Sequence, residues 1–211
     1  MNLESYIEQH IDQEPELLRE LTRATNLRAL HSRMLSGHLQ GRILSMISKL
    51  IAPKNILEIG TFTGYSALCL AEGLQKDGKL TSIEINDEIA EFASEFIEKS
   101  EFGEQINIIV GDAIVEIPKL QDTFQLVFID GNKRDYSAYY DMVFPLLSKG
   151  GIILADNVLW SGKVIERVDS KDEQTAELLA FNEKIKNDCR AEKVILPIRD
   201  GISIIRKIGN A

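Results

Sequence analysis

The chain has 211 residues, of which 44% are hydrophobic and 27% are charged, and its formal net charge is −9. This composition is typical of a soluble globular protein, and no stretch reaches the roughly 18 apolar residues of a membrane span. Nucleic-acid binding depends chiefly on lysine and arginine contacts to phosphates, so an acidic chain argues against such a partner.

The start of the chain and its cysteines indicate a cellular compartment. Residues 1–16 are acidic and lack both a basic start and an apolar core, so we expect no secretory signal peptide. Cys69 and Cys189 lie far apart without C-x-x-C spacing, which indicates neither a disulfide framework nor a thiolate zinc site. These features favour the reducing cytoplasm.

The first 52 residues predict a helical lead. A helix over residues 15–30 is indicated by apolar residues at helical spacing, with Pro15 in its first turn. A second helix, which Pro53 ends, is indicated by one apolar stripe of Leu39, Ile43, Ile47, Leu50 and Ile51. Residues 33–37 between the two helices form a predicted linker that could fold over a ligand.

Basic residues concentrate in this lead. They are Arg19, Arg23, Arg28, Arg33 and Arg42, together with His31 and His38. They could contact an anionic substrate or a partner subunit. The alternative is a solvated helix face, on which these residues alternate with Glu14, Glu16 and Glu20.

From residue 53 onward, short apolar runs alternate with helix-length segments. The runs cover residues 56–60, 80–84, 106–111, 124–130 and 151–156, and helices are predicted over 65–74, 87–99, 113–120, 136–147 and 172–187. This alternation indicates β-α-β units around a buried parallel sheet. Two last strands, residues 193–196 and 202–207, flank a turn too short for a parallel crossover, so the final strand should run antiparallel.

The loop after the first strand has the spacing of a cofactor loop. Glu58, Gly60 and Gly64 form the pattern E-x-G-x-x-x-G, in which the glycines let a ligand approach the backbone. A nearby acid would repel phosphate but suits the amino and sulfonium groups of S-adenosylmethionine (SAM). The loop therefore favours a methyl donor over a dinucleotide.

Polar residues end the next two strands as well. Glu84 lies roughly 20 residues beyond the glycine loop, the spacing of an acid that binds ribose hydroxyls, although it could instead cap the next helix. Asp112 and Ala113 could flank an adenine ring, and Asp112 could also be a helix N-cap.

Asp130-Gly131-Asn132-Lys133 and Asp156-Asn157 follow the fourth and fifth strands. Two carboxylates and an amide oxygen would form an all-oxygen site that suits Mg²⁺, Mn²⁺ or Ca²⁺ better than zinc. The three histidines all precede residue 39 and show no ligand spacing. For each aspartate alone, the alternative is a strand-end cap or a salt bridge.

Four segments carry a family resemblance: LEIGTFTGYSAL (57–68), LVFIDGNKRDYSAYY (126–140), GGIILADNVLWSGKV (150–164) and LPIRDGISIIRK (196–207). With them, the sequence resembles the cation-dependent class I O-methyltransferases, the group that contains caffeoyl-CoA and bacterial catechol-type O-methyltransferases. The resemblance implies one domain over residues 1–211, in which an α/β core of Rossmann-like class I methyltransferase fold follows the lead. Its seven-stranded, mostly parallel sheet would have an antiparallel last strand.

The resemblance also implies the site residues. Cofactor contacts are expected at Ser36, Glu58, Gly60, Thr61, Tyr65, Ser66, Glu84, Ile85, Asp112, Ala113, Asp130 and Asn132. Metal ligands are expected at Asp130, Asp156 and Asn157, with Mg²⁺ as the first choice of ion, and the catalytic residue at Lys133. The acceptor pocket would be formed by Met34, Lys133, Trp160 and Ser161.

The implied activity is SAM-dependent methylation of a catechol-like phenolic small molecule, in a homodimer whose interface could be the lead. One departure is Asn132, where the family commonly has aspartate, which puts metal affinity and the preferred ion in question. The alternatives are a SAM-binding regulatory protein without turnover, a metal-independent methyltransferase of nitrogen or RNA, and a nicotinamide-dependent reductase.

Overall fold

A seven-stranded sheet organises the protein, and the computed structural model describes residues 3–169 and 171–209. In chain order the strands are β1 (Asn55–Ile59), β2 (Lys79–Glu84), β3 (Ile106–Val110), β4 (Phe124–Ile129), β5 (Leu147–Ala155), β6 (Ala191–Leu196) and β7 (Ile202–Lys207). Their spatial order is β3-β2-β1-β4-β5-β7-β6. From β1 the chain adds β2 and β3 towards one edge of the sheet, and it then returns to place β4 on the other side of β1. The topological switch point therefore lies between β1 and β4.

Strand directions agree with the prediction. Strands β1 to β5 pair in parallel, whereas β7 runs antiparallel to both β5 and β6. The expected antiparallel last strand is confirmed, because the short turn between β6 and β7 permits only a hairpin. The fifth strand starts at Leu147 instead of residue 151, and its register with β4 is irregular between Phe124 and Leu126.

Eight helices lie in the described part of the chain. They are α1 (Leu3–His10), α2 (Glu16–Arg28), α3 (Gly37–Ile51), α4 (Tyr65–Ala71), α5 (Asp87–Ile97), α6 (Ala113–Glu116), α7 (Tyr136–Leu146) and α8 (Glu173–Asn187). The sequence does not predict α1. Short 3-10 turns cover Ser32–Met34, Ile117–Lys119, Lys133–Asp135 and Trp160–Ile165. Over residues 3–169 and 171–209, no helix has the length and apolarity to cross a bilayer.

Helices cover both faces of the sheet. Along β4, Leu126 and Phe128 belong to the core beneath α3, α4 and α5, whereas Val127 and Ile129 belong to the core beneath α7 and α8. Side chains of a strand alternate between faces, so burial on both sides explains the continuous apolar run in the sequence. Ligands consequently have access to the sheet at the ends of its strands.

Helix α3 buries a different face from the predicted apolar stripe. The buried residues of this helix are Gln40, Gly41, Leu44, Ser45 and Ser48. At Gly41 a Cβ atom would lie 2.7 Å from a ring carbon of Tyr65, so small residues let α3 pack closely against α4. The prediction is wrong for Leu50, which is 79% exposed, while Ile47 and Ile51 pack at the edge of the core.

Three of the five arginines in the lead form salt bridges within the chain. Arg28 pairs with Glu95 at 2.8 Å, and Arg19 pairs with Glu16 on its own helix. Arg42 pairs with Glu72 at 2.6 Å between α3 and α4. Arg19 and Arg28 therefore agree with the solvated helix face, whereas Arg42 has a structural role inside the protein.

Candidate active site

One large cleft lies at the carboxyl ends of β1, β2, β4 and β5, across the topological switch point. Its volume of about 1440 Å³ exceeds the roughly 300–1,000 Å³ of a typical small-molecule pocket, so a cofactor and an acceptor could lie side by side. The predicted site residues that line it are Met34, Ser36, Gly60, Thr61, Tyr65, Ser66, Glu84, Ile85, Asp112, Ala113, Asp130, Asn132, Lys133, Asp156, Asn157, Trp160 and Ser161. Glu58 is the predicted site residue that is not part of this lining.

The glycine loop brings the ends of β1 and β4 together. Gly60 has a φ of 96°, and a Cβ atom at this position would lie 2.4 Å from the main-chain oxygen of Asp130. Only glycine tolerates both the left-handed backbone and this approach. The two halves of the cleft are therefore in direct backbone contact at Gly60.

Glu58 lies beneath the cleft floor. Its side chain is fully buried, Ser82 donates a hydrogen bond to Oε2, and Oε1 has no well-formed hydrogen bond to any described residue. Burial raises the pKa of Glu58 to about 8, against the opposing effect of the Ser66 and Ser82 hydroxyl groups. Glu58 is thus a buried carboxyl group just below the glycine loop, close to the hydroxyl groups of Ser66 and Ser82.

Glu84, at the end of β2, faces the cleft and is not a helix cap. Its two carboxylate oxygens accept main-chain hydrogen bonds from Phe62 at 2.8 Å and Asn86 at 3.0 Å. The cap of α5 is Asn86, which accepts from Ile89 N. A carboxylate has about four acceptor positions, so Glu84 retains capacity for hydroxyl donors.

Asp112 serves as the N-cap of α6 and lines the cleft as well. Its Oδ1 accepts a hydrogen bond of 2.9 Å from Ile114 N. The alternative prediction of an N-cap is therefore confirmed, and the other carboxylate oxygen is compatible with a ligand contact. Ile85 also lines the cleft and is 71% exposed, which leaves an apolar surface for a flat ring.

The ends of β4 and β5 carry a connected group of polar side chains. Lys133 Nζ donates to Asp130 Oδ1 and to Tyr136 Oη, each at 2.7 Å. Tyr136, which is fully buried, donates to the main-chain oxygen of Asp156 at 3.0 Å. The sequence prediction misses Tyr136, and the available signal was its position three residues after Lys133.

Asp156 is fixed by hydrogen bonds at both carboxylate oxygens. Oδ1 accepts from Asn157 N at 2.7 Å, and Oδ2 accepts from Gln40 Nε2 at 2.7 Å. Burial and the nearby negative charge of Asp130 raise the pKa of Asp156 to about 6. The sequence prediction also misses Gln40. Its position directly after Leu39 of the predicted apolar stripe was the only signal available.

The donor chemistry at this end of the cleft fits a hard divalent cation. Asp130, Asp156 and Asn157 offer carboxylate and amide oxygens, the ligand type that Mg²⁺ and Ca²⁺ prefer. In the described ranges, no group of three or more His, Cys, Asp or Glu side chains could hold a metal. The candidate set instead combines two carboxylates with one amide.

Asn132, predicted as a cofactor contact, and Met34, Trp160 and Ser161, predicted for the acceptor pocket, line the cleft as well. Asn132 caps the turn Lys133–Asp135 and donates to Asp135 Oδ2 at 2.7 Å. Trp160 and Ser161 have left-handed φ values of 46° and 52°, and Ser161 N donates to Asp200. Exposed Met34, His31 and Arg33 line the mouth of the cleft, so part of the basic lead does face a potential ligand.

Comparisons with known proteins agree with this geometry. The family model described as O-methyltransferase matches residues 8–208. A caffeoyl-CoA O-methyltransferase from Nicotiana tabacum is 36% identical over 208 residues, which cover 92% of this chain and 86% of the tobacco protein.

Two solved structures are similar over almost the whole chain. An SAH-bound methyltransferase from Podospora anserina has a TM-score of 0.88 and 29% identity, and the match covers 97% of this chain and 93% of that one. The O-methyltransferase TomG of tomaymycin synthesis from Streptomyces achromogenes, solved with SAM, has a TM-score of 0.88 and 27% identity, with 97% and 95% covered. The chain therefore belongs to the O-methyltransferase family.

Proposed function

We propose that this protein transfers the methyl group of SAM to a hydroxyl group of a catechol-like small molecule, and that the reaction depends on a divalent cation. The observation that carries the proposal is that Asp130, Lys133, Asp156 and Asn157, at the ends of β4 and β5, line the same cleft as the glycine loop. The names of the relatives support it, since they include caffeoyl-CoA O-methyltransferases and proteins solved with SAM or SAH.

SAM would occupy the half of the cleft formed by β1 and β2. Glu84 has free acceptor capacity for the ribose hydroxyls, and Ile85 and Asp112 lie where an adenine ring would be flanked. Glu58 is fully buried beneath Gly60 and outside the cleft lining, so it would support the glycine loop from below. The side chains at the ends of β4 and β5 would then remain available to the acceptor.

The cation would be held by Asp130, Asp156 and Asn157, whose oxygen donors suit Mg²⁺. When bound, such a cation acts as a Lewis acid and lowers the pKa of a hydroxyl group in its coordination sphere. Asn132 supplies no charge here, because an amide is neutral, and its side chain already caps a turn and donates to Asp135. Metal binding by this chain would rest on two carboxylates.

Lys133 would act on the acceptor oxygen. Its Nζ donates to Asp130 and Tyr136, which is the arrangement of an ammonium donor. Lys133 would therefore stabilise the negative charge of the phenolic oxygen once its proton, made more acidic by the cation, has left to solvent, and the methyl transfer would then leave S-adenosylhomocysteine. Holding that oxygen in line with the methyl group would supply roughly 7–11 kcal/mol through orientation.

The acceptor ring would lie between the lead and the loop that follows β5. Met34 contributes an exposed thioether from the lead, and Trp160 contributes an aromatic surface from the loop. The bond from Ser161 N to Asp200 holds this loop against the turn between β6 and β7. A flat apolar ring would fit between these walls, and its adjacent polar oxygens would face the candidate cation ligands at the ends of β4 and β5.

The test is methyl transfer from radiolabelled SAM to a panel of catechols, caffeoyl esters and flavonoids, with EDTA and then with added Mg²⁺, Mn²⁺ or Ca²⁺. We expect activity to disappear with EDTA, to return with Mg²⁺ and to be lost in Asp156→Asn. Asp141→Asn, which removes an exposed partner of Lys184, is the matched control and should keep full activity.

Two outcomes would contradict parts of the proposal. Full turnover by rigorously metal-stripped protein would show that the reaction does not depend on a divalent cation. SAM binding without product from any acceptor in the panel would favour the alternative of a cofactor-binding protein without turnover.

A further inference from the structure

Gln40, near the start of α3, is a buried polar side chain that reaches the end of β5. The residue is 1% exposed, and its Nε2 donates a hydrogen bond of 2.7 Å to Asp156 Oδ2. The two residues are 116 positions apart in the chain, so only the fold brings them together. A buried amide normally has hydrogen-bond partners at both ends.

Arg199 is the partner at the other end of the Gln40 amide. Its Nη1 lies 3.1 Å from Gln40 Oε1, and a guanidinium group has donors but no acceptor. The amide oxygen must therefore face Arg199, which directs the NH₂ group at Asp156. A reversed amide would place two donors together at one end and two acceptors together at the other.

Arg199 is itself held in an unusual conformation. It has a φ of 48°, in the left-handed region that a residue other than glycine keeps only where its surroundings require it. Its guanidinium group also donates to the main-chain oxygens of Leu35, at 3.0 Å, and Ser36. Arg199 therefore binds the segment just before α3 as well as Gln40.

The turn that carries Arg199 is attached to the loop that carries Asp156. The main-chain oxygen of Asp200 accepts from Leu159 N at 2.8 Å, and that of Gly201 accepts from Val158 N at 3.1 Å. One turn thus supports both the start of α3 and the segment after β5. Gln40 and Asp156 are consequently fixed relative to each other.

The two candidate carboxylate ligands have different partners. Asp130 has the positively charged Lys133, whereas the side-chain partner of Asp156 is the neutral amide of Gln40. A neutral donor can orient a carboxylate without cancelling its charge, which then remains available to a cation. A lysine in place of Gln40 would neutralise the charge of the Asp156 carboxylate, whereas the amide does not.

We propose that Gln40 is a positioning residue that orients the Asp156 carboxylate in the cleft, and that Arg199 holds the Gln40 amide in the required orientation. The inference rests on the proposed function in one respect, namely that Asp156 binds a divalent cation. Gln40 and Arg199 act through Asp156 and need not touch the reacting atoms.

The first test measures Mn²⁺ binding by electron paramagnetic resonance and calorimetry, with SAM affinity and thermal unfolding measured separately. Gln40→Met keeps the length of the side chain but loses the donor, and it should weaken Mn²⁺ binding by about 10–100-fold. Arg199→Met should weaken it less. The double variant should resemble Gln40→Met alone, because both changes act through the same hydrogen bond.

Gln125→Met is the matched control. Gln125 Oε1 accepts from the main chain of Lys54 and Asn55 at the opposite end of the sheet, so this variant should lose stability but keep its Mn²⁺ affinity. Equal Mn²⁺ affinity in the native protein and Gln40→Met would overturn the positioning role while leaving the proposed function intact. If the native protein binds Mn²⁺ no better than Asp156→Asn, the proposed cation is wrong.

A second readout without metal decides the positioning role in either case. The side-chain amide of Gln40 should give resolved, slowly exchanging signals in the ¹⁵N spectrum of the metal-free protein, identified by their loss in Gln40→Met. Asp156→Asn and Arg199→Met should each shift these signals and leave those of Gln125 unchanged. Unshifted Gln40 signals in both variants would overturn the inference whether or not a metal binds.

Discussion

Lys133 Nζ lies 2.7 Å from Asp130 Oδ1, so the candidate catalytic lysine forms a salt bridge with a candidate metal ligand three residues earlier. The same ammonium group donates to Tyr136, and Tyr136 donates to the main-chain oxygen of Asp156. The cationic group and both carboxylates therefore belong to one hydrogen-bonded unit at the ends of β4 and β5. A change at Lys133 should therefore affect chemistry more than cofactor binding.

Replacement of Lys133 by alanine tests this separation. Lys133→Ala should lower turnover by about 10²–10³-fold, the usual cost of removing one group that stabilises negative charge at the reacting oxygen, while the dissociation constant for SAM changes little. Lys119→Ala is the matched control, because Lys119 forms a salt bridge of the same spacing and length with Glu116. Equal losses of turnover and SAM affinity in Lys133→Ala would remove its catalytic role.

Glu58 should make stability fall as pH rises. Burial raises its pKa to about 8 in the folded protein from an ordinary value of 4.5, so the folded state binds the proton more tightly than the unfolded state. Its contribution is fully present below about pH 4.5 and is lost as the pH rises to about 8, with a slope of at most about 1.4 kcal/mol per pH unit. Glu58→Gln should flatten this part of the curve in urea unfolding experiments.

Glu72 should make stability fall as the pH falls, which is the opposite of the effect expected for Glu58. Burial alone would raise its pKa, but hydrogen bonds from Arg42, Lys49 and Ser45 outweigh that effect and lower the pKa to about 2. Its stabilisation is therefore present above about pH 4.5 and is lost as the pH falls towards 2. If Glu58→Gln and Glu72→Gln changed the pH dependence in the same direction, the assignment for Glu58 would be wrong.

Gly60 should be the least replaceable glycine of the cleft. In Gly60→Ala a Cβ atom would meet the main-chain oxygen of Asp130 at 2.4 Å, in addition to the strain of a positive φ. We expect a loss of roughly 3 kcal/mol or more in unfolding free energy, together with weaker SAM binding.

Gly162→Ala tests backbone strain without the steric clash that is expected between the added Cβ atom and Asp130 in Gly60→Ala. Gly162 has a φ of 80° but has no heavy atom of the described chain within 4 Å of the added Cβ, so strain alone applies and should cost roughly 1 kcal/mol. Similar losses in the two variants would show that the contact between Gly60 and Asp130 is unimportant.

Asn132→Asp introduces the acid that the family resemblance leads us to expect at this position, but the local structure opposes it. The Asn132 amide donates to Asp135 Oδ2 at 2.7 Å. An aspartate at position 132 would place its carboxylate against that of Asp135. Asn132→Asp should lower the unfolding free energy by roughly 0.5–1.5 kcal/mol through the lost hydrogen bond. The double variant with Asp135→Asn should recover stability; no recovery would contradict this explanation.

Much of the fold could be predicted because it depends on local patterns. Apolar runs of strand length between helix-length segments identify the strands, and the short turn at Asp200 and Gly201 requires the antiparallel β7. The packing of α3 could not be predicted in this way. Its inward face consists of small and polar residues such as Gly41 and Ser48, which are buried because α4 lies close to them.

The same division applies to the site. Residues that end strands, such as Glu84, Asp130 and Asp156, are identifiable from sequence because parallel strands bring their carboxyl ends to one edge. The sequence alone therefore determined the order of the strands along the chain and the polar strand-end residues of the cleft lining. Only the tertiary structure decided that Glu58 lies beneath the cleft and that Gln40 and Arg199 reach Asp156, because hydrogen bonds between distant segments leave no periodic trace in the chain.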